Sequence, residues 1–294
     1  GKTNDNTTVI NIGSANKAGN VTVTTADLNG ATVFLDPAWK GDAEITDASK
    51  MAVAGTDNKV ALDGKYVVGR NSVMSFGVDN NEKAQETFAK TGLTWGKDAI
   101  TAGLYINGSV DLTKGAIVVD GSKTEVGQGT IDNGTFTAAD NSVVMVNGQA
   151  INDENESAAI TEAKNVDVAK TSKLYIDGAE KGNTYKVLAA SGISSVWAID
   201  NIISDNALLI FTRDNTDNTK FDVTASYDKI NNVYGDNAVV IDSVVDKTLE
   251  VGKEGDAAFD FFNAAANSNN NATKDAQIAA FNSVANMGEL AGVN

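Results

Sequence analysis

Short β-branched and apolar runs recur along the chain: residues 21–23 (VTV), 31–35 (ATVFL), 66–68 (YVV), 116–119 (AIVV) and 142–146 (SVVMV). Between them fall Asn29-Gly30, Asp63-Gly64, Asn107-Gly108, Asp120-Gly121, Asn133-Gly134, Asn147-Gly148 and Asp177-Gly178, four of which follow one another at intervals of 13 or 14 residues. Brief strands separated by residues that tolerate positive φ mark an all-β chain. Two architectures fit that pattern: antiparallel hairpins closed by Asn-Gly turns, and rungs of a parallel β-helix. Residues 127–148 favour the second, because Ile131, Phe136, Val144 and Val146 alternate with Thr130, Asp132 and Gly134 over strands too short for a sandwich. Loosely similar units of roughly 20 residues or more, each unable to bury its apolar face alone, describe a solenoid, here expected from about Thr8 to about Thr248.

Three segments depart from this texture. Residues 81–91 (NEKAQETFAKT) place Ala84, Phe88 and Ala89 at helical spacing, and residues 153–164 (DENESAAITEAK) place Ala159, Ile160 and Ala163 on one side, so both read as short helices inserted in loops. Near the end, Ala276, Ala280, Val284 and Met287 recur at spacings of four, four and three, with Ile278, Phe281 and Ala285 beside them. Residues 275–290 are therefore expected to be helical when packed against a partner surface, since an isolated helix of this length is marginal in water. The preceding residues 263–272, rich in Asn, Ser and Ala, have linker composition. The fold class expected is all-β, a parallel β-helix with short inserted helices and a C-terminal α-helical segment.

Composition narrows the chemistry. The 294 residues contain no Cys and no His, which excludes disulfides, thiolate metal sites, the Ser-His-Asp triad and the usual general base near neutral pH. With 39 acidic against 23 basic side chains the net charge is -16, so a phosphate backbone is repelled and no nucleic-acid partner is expected. The excess of carboxylates suits solubility outside the cell. The longest purely apolar stretch, residues 207–211 (ALLIF), is far short of a membrane span. Starting at Gly1 without Met, the chain reads as a mature or excised segment.

No motif rises to a catalytic, cofactor or metal site. The carboxylates Asp153, Glu154 and Glu156, and those of residues 214–217, sit in polar loops without the set separation across a cleft that glycoside hydrolysis needs. Asp79-Asn80-Asn81-Glu82 and Asp214-Asn215-Thr216-Asp217 do not continue as calcium loops. Gly64-Lys65, Gly96-Lys97 and Gly252-Lys253 lack the following hydroxyl of a phosphate loop. A polysaccharide lyase on a β-helix needs an electropositive cleft, and Arg70 and Arg213 are the only arginines. Trp39, Trp95 and Trp197 lie in apolar contexts that suit packing better than sugar stacking. Residues 185–211 instead concentrate apolar side chains, with Tyr185, Leu188, Trp197, Leu209 and Phe211 expected at the centre of a stability core that serves as folding template.

Residues 33–40 (VFLDPAWK), 91–96 (TGLTWG) with 100–106, and 182–188 (GNTYKVL) with 208–211 (LLIF) resemble passenger segments of Gram-negative autotransporters, the type V secretion family. Residues 279–294 (AAFNSVANMGELAGVN) resemble the linker helix that threads the outer-membrane barrel. The resemblance implies a division into a solenoid passenger (1–180), an autochaperone-like pre-barrel cap (181–262) and a linker with C-terminal helix (263–294). It implies a non-enzymatic adhesin or stalk at the bacterial surface, with its own outer-membrane β-barrel translocator as partner and an unassigned cell-surface or matrix ligand. It also implies Asn282, Asn286 and Asn294 as candidates for release by Asn cyclisation. The alternative is a subunit that self-associates into an extracellular filament or surface layer, residues 7–13 (TTVINIG) adding a strand to a neighbour.

Overall fold

The computed structural model describes residues 9–12, 22–27, 32–35, 40–45, 49–53, 59–77, 94–95, 98–99, 101–121, 133–204, 209–214 and 217–226, with positions 248, 251 and 253. These residues are predominantly strand, in two large sheets that the chain visits alternately over much of its length. The first runs in the order β1 (Val9–Ile12), β3 (Thr32–Leu35), β5 (Lys50–Val53), β7 (Ser72–Phe76), β10 (Ala102–Ile106), β13 (Ser142–Asn147), β16 (Lys173–Asp177) and β18 (Ile202–Ser204). All its neighbours are parallel. The second runs β2 (Thr22–Asp27), β4 (Lys40–Ile45), β6 (Lys59–Val68), β11 (Ser109–Val119), β14 (Ile160–Ala163) and β17 (Thr184–Ala190), again parallel. It then closes with β20 (Lys220–Ser226) and β19 (Ile210–Asp214), both antiparallel to their neighbours. Beside the last residues of β11 lie β12 (Thr135–Ala138) and β15 (Asn165–Val168), also parallel. A two-residue antiparallel ribbon joins β8 (Thr94–Trp95) to β9 (Asp98–Ala99).

Register explains how such short strands hold together. In the first sheet Met51, Met74, Leu104, Val144, Leu174 and Ile202 fall in one row, and Val53, Phe76, Ile106, Val146 and Ile176 in another. Opposite them, the second sheet stacks Val60, Val110, Ile160 and Leu188, and the β11–β12–β15 branch stacks Ile117, Phe136 and Val166. All belong to one buried cluster that extends from Ala43 to Ala225. Each row covers the apolar face of the next, so no strand has to be stable alone.

Corners repeat as well. Ser72, Ser142 and Ser172 each donate a backbone N–H to the carbonyl three residues back, at 3.2, 3.2 and 3.1 Å. Asn71 and Asn141, just before two of these serines, take φ of 56° and 58°. The corner sequences Gly69-Arg70-Asn71-Ser72, Ala139-Asp140-Asn141-Ser142 and Ala169-Lys170-Thr171-Ser172 are therefore one motif. The serines are buried, and their hydroxyls keep the corner satisfied: Ser142 Oγ donates to the Ala139 carbonyl at 2.6 Å and lies 3.1 Å from Ser172 Oγ. At the opposite strand end, Asn147 Nδ2 donates to Asn107 Oδ1 at 2.6 Å, and Asn107 Nδ2 donates to the Gly77 carbonyl at 2.7 Å. Gly77 has φ +75°, and a Cβ there would sit 1.9 Å from the Asn107 carbonyl oxygen, so only glycine fits. The Asn107-Gly108, Asn147-Gly148 and Asp177-Gly178 pairs thus end parallel strands instead of closing hairpins.

The helix expected at 153–164 is not formed. Residues 160–163 are strand β14, hydrogen-bonded between β11 and β17. The described α-helix α1 lies earlier, at Gly148–Ile151, with Asn147 Oδ1 accepting from the Gln149 N–H at 3.0 Å. Ile160 and Ala163 do share a face, but through a bulge: the register with β17 shifts between them, and Glu162 takes φ 57°. One extra residue in a strand makes positions three apart point the same way, which imitates a helical spacing. Glu162 is exposed and pays the left-handed strain, so Glu162→Gly is expected to stabilise the fold by about 1 kcal/mol. A urea midpoint that fell instead of rising would show that the carboxylate is needed there. The helices expected at 81–91 and 275–290 and the linker at 263–272 lie outside the described residues.

Candidate functional site

Polar side chains singled out from the sequence are committed to holding the corners and the C-terminal hairpin. In the acidic loop after α1, Asn152 Oδ1 accepts from the Glu154 N–H at 3.2 Å and from Asn155 Nδ2 at 2.7 Å. Asp153 Oδ2 accepts from the Thr184 N–H at 3.1 Å, and Lys186 Nζ donates to the Asn155 carbonyl. These bonds lash the loop to β17. In the β19–β20 turn, Asp217 Oδ1 accepts from the Thr219 N–H at 2.8 Å and from its hydroxyl at 2.6 Å, with Lys220 Nζ 3.6 Å from Oδ2. The Thr219 hydrogen bonds, and then Lys220, hold the Asp217 carboxyl below its ordinary range. Asp222 is raised instead: its partial burial outweighs the attraction of Lys220 and Lys186. Among the described residues no three acidic side chains gather around a point where an ion could sit.

The template residues do come together. Tyr185, Leu188, Trp197, Leu209 and Phe211 are all buried in the main core. Trp197 lies with its ring centroid 5.9 Å from both Phe136 and Phe221, and its Nε1–H donates to Ser172 Oγ at 3.1 Å. The Tyr185 hydroxyl accepts from the Glu180 N–H at 2.6 Å and donates to the Glu180 carbonyl at 3.2 Å, fixing the turn ahead of β17. Sequence reading missed the far wall of this site: Phe221, Val223 and Ala225 of β20 are buried, and the Arg213 guanidinium lies 5.2 Å from the centre of the Phe221 ring. The signal was present as strict alternation in residues 220–226 (KFDVTAS). Within 185–211, Ile199 is exposed, while Ile193 and Val196 are only partly buried against the core. Trp39, the 79–82 acids and Asn282, Asn286 and Asn294 lie outside the described residues; Trp95 ends β8.

Comparison of the chain with protein-family models, curated proteins and solved structures finds no match.

A second, smaller apolar cluster sits on the other face of the first sheet, made by Tyr105, Val143, Met145 and Tyr175. Burial, and then the Asp177 carboxylate, push the Tyr105 hydroxyl above its ordinary value near 10. A pKa raised on folding means the neutral phenol supports the fold fully below pH about 10, and that support is lost as pH rises through the folded value. Thermal stability is therefore expected to drop above pH 10, and Tyr105→Phe to flatten part of that drop. Melting curves at pH 9 and pH 11 check this; identical slopes in both proteins would remove Tyr105 from the account.

Proposed function

We propose that the chain is a parallel β-helix acting as a non-enzymatic scaffold at the bacterial surface, a passenger of the autotransporter kind used as adhesin or stalk. What carries the reading is the run of parallel pairings in two alternately visited sheets, closed at the C-terminal side by the antiparallel β19–β20 hairpin. Such an object grows by stacking, exposes long lateral faces, and needs one end sealed. Asp153 and Asp217 fasten a loop and a turn, which is what a scaffold asks of them. Absence of Cys suits export in an unfolded state, because no bridge can form before the chain is across. Acidic surface charge keeps neighbouring rods apart.

The test is export. Joined ahead of an outer-membrane β-barrel with its linker, the chain is expected to reach the cell surface protease-resistant, and core truncations at Leu209 or Phe211 to hinder display more than an equal truncation near Val21. Loss of display with an intact barrel, or equal tolerance at both ends, would overturn the proposal. Replacing Asn282, Asn286 and Asn294 in turn, with release followed by mass spectrometry, tests cleavage in the proposed linker. A second reading, assembly into filaments, has one observation behind it: among the described residues the first sheet starts at β1, paired on one side only, by β3. Electron microscopy at rising concentration separates single rods from fibres of indefinite length.

A further inference from the structure

We propose that Asp214 of β19 and Asp222 of β20 form a proton-operated clasp on the closing hairpin, in which a proton shared by the two carboxyl groups ties β19 down and its loss loosens that strand. The clasp is independent of the proposed export role and follows from register. Lys186 of β17, Asp222 and Asp214 are cross-strand neighbours in one row. Tyr185, Phe211, Phe221 and Val223 belong to the core, so alternation puts this row on the outer face of the second sheet. Side chains opposite one another on an antiparallel pair lie about 5 Å apart at Cβ, and like charges so placed destabilise the pairing. Among the described residues β19 is paired by β20 alone, so it is the strand that this repulsion can move.

The neighbouring cations are engaged elsewhere. Lys186 Nζ donates to the Asn155 carbonyl and lies 3.5 Å from that of Asp153, in the loop after α1. Lys220, two residues before Asp222 on the same face, has its Nζ 3.6 Å from Asp217 Oδ2. Asp222 is left partly buried, at a cost that the attraction of Lys220 and Lys186 does not offset, while Asp214 and Asp217 add repulsion. Burial and the two carboxylates favour its neutral form, which can donate a hydrogen bond to Asp214 where the anion cannot. A carboxyl raised on folding above its ordinary value near 3.9 supports the fold fully below that value, and the support is lost as pH rises through the folded one. Asp217 in the same hairpin behaves in the opposite sense, because the Thr219 hydrogen bonds hold it below the ordinary range. The outer strand is therefore clasped in acid and loosened toward neutrality.

Hydrogen exchange of the full chain, followed by NMR in EDTA and corrected for the intrinsic rate at each pH, tests the clasp. Protection of the β19 amides relative to those of β14 is expected to fall about two- to fivefold between about pH 4 and about pH 7, the scale of one cross-strand charge pair. Asp222→Asn, similar in shape but uncharged, is expected to flatten that profile and keep protection at pH 7 at or above the native level, and Asp214→Asn to do the same. Asp200→Asn removes one charge from an exposed position in the turn before β18 and is expected to leave the native profile in place. A native profile that is flat or rises with pH, a fall that survives Asp222→Asn, or equal flattening by Asp200→Asn overturns the proposal. Carboxyl-carbon NMR titration of the unsubstituted chain keeps the answer independent of how the variants fold. Asp214 and Asp222 are expected to titrate in two coupled steps; two independent curves at ordinary carboxylate values would remove the clasp.

Discussion

Trp197→Ala is expected to lower the free energy of unfolding by about 3–5 kcal/mol, the range for removing a large aromatic from a packed core. Trp197 is 2% exposed and touches parts of the fold far apart in sequence: Phe136 in the β11–β12–β15 branch, Phe221 in the closing hairpin, and Ser172 at a first-sheet corner. Truncation opens a cavity at their junction and leaves the buried Ser172 hydroxyl without the indole donor. Trp197→Phe refills much of the volume but cannot donate, so it should fall between the two. Urea titration followed by far-UV circular dichroism gives all three values. A loss under about 1 kcal/mol for the Ala variant would mean that the junction collapses or was never tight.

Val223→Asp is the second large effect. Val223 is fully buried on β20, opposite Tyr185 of β17. An ionised carboxylate placed there has no partner, and the strand that seals the edge of β17 is expected to detach before the charge is buried. The deficit has a defined pH dependence. A buried Asp has its folded pKa raised above the unfolded value near 3.9, so the folded variant recovers at pH below about 4 and weakens as pH rises toward 7. Detachment exposes an unpaired parallel edge, which invites strand addition from another molecule. Light scattering at pH 7 should therefore rise for Val223→Asp and stay flat for Val223→Ala; equal scattering would show that β20 is not the seal.

Local chemistry made part of this structure legible. Strand positions followed from β-branched runs, and the Asn-Gly and Asp-Gly dipeptides marked the ends of β10, β13 and β16. Parallel pairing between short strands was preferred over hairpins because the strands are so short, and in the two large sheets the observed pairings are parallel up to β17, the two-residue β8–β9 ribbon being antiparallel. The misread segment, 153–164, shows where local reading stops: a bulge at Glu162 gives i, i+3 burial inside a strand, and only the neighbours β11 and β17 decide between the two. The serine corners were overlooked because their spacing is irregular and a lone Ser carries no periodicity. Phe221 was overlooked for another reason. Its ring partner Trp197, which also meets Phe136, is brought close by the reversal of β20, and chain direction is not encoded in a run of alternating residues.

The irregular spacing of paired strands in the first sheet has a mechanical consequence. Val73 lies beside Gly103, Gly103 beside Val143, and Val143 beside Lys173, so neighbouring strands are thirty, forty and thirty residues apart. A force that pulls on the chain from one end detaches one strand from its neighbour before the next one feels it. Each release frees a length of slack equal to that spacing, roughly 100–140 Å at about 3.5 Å per residue. The extension trace of a single molecule should be a staircase of unequal treads, its longest tread between β10 and β13, and the chain a graded shock absorber that gives way in instalments under shear.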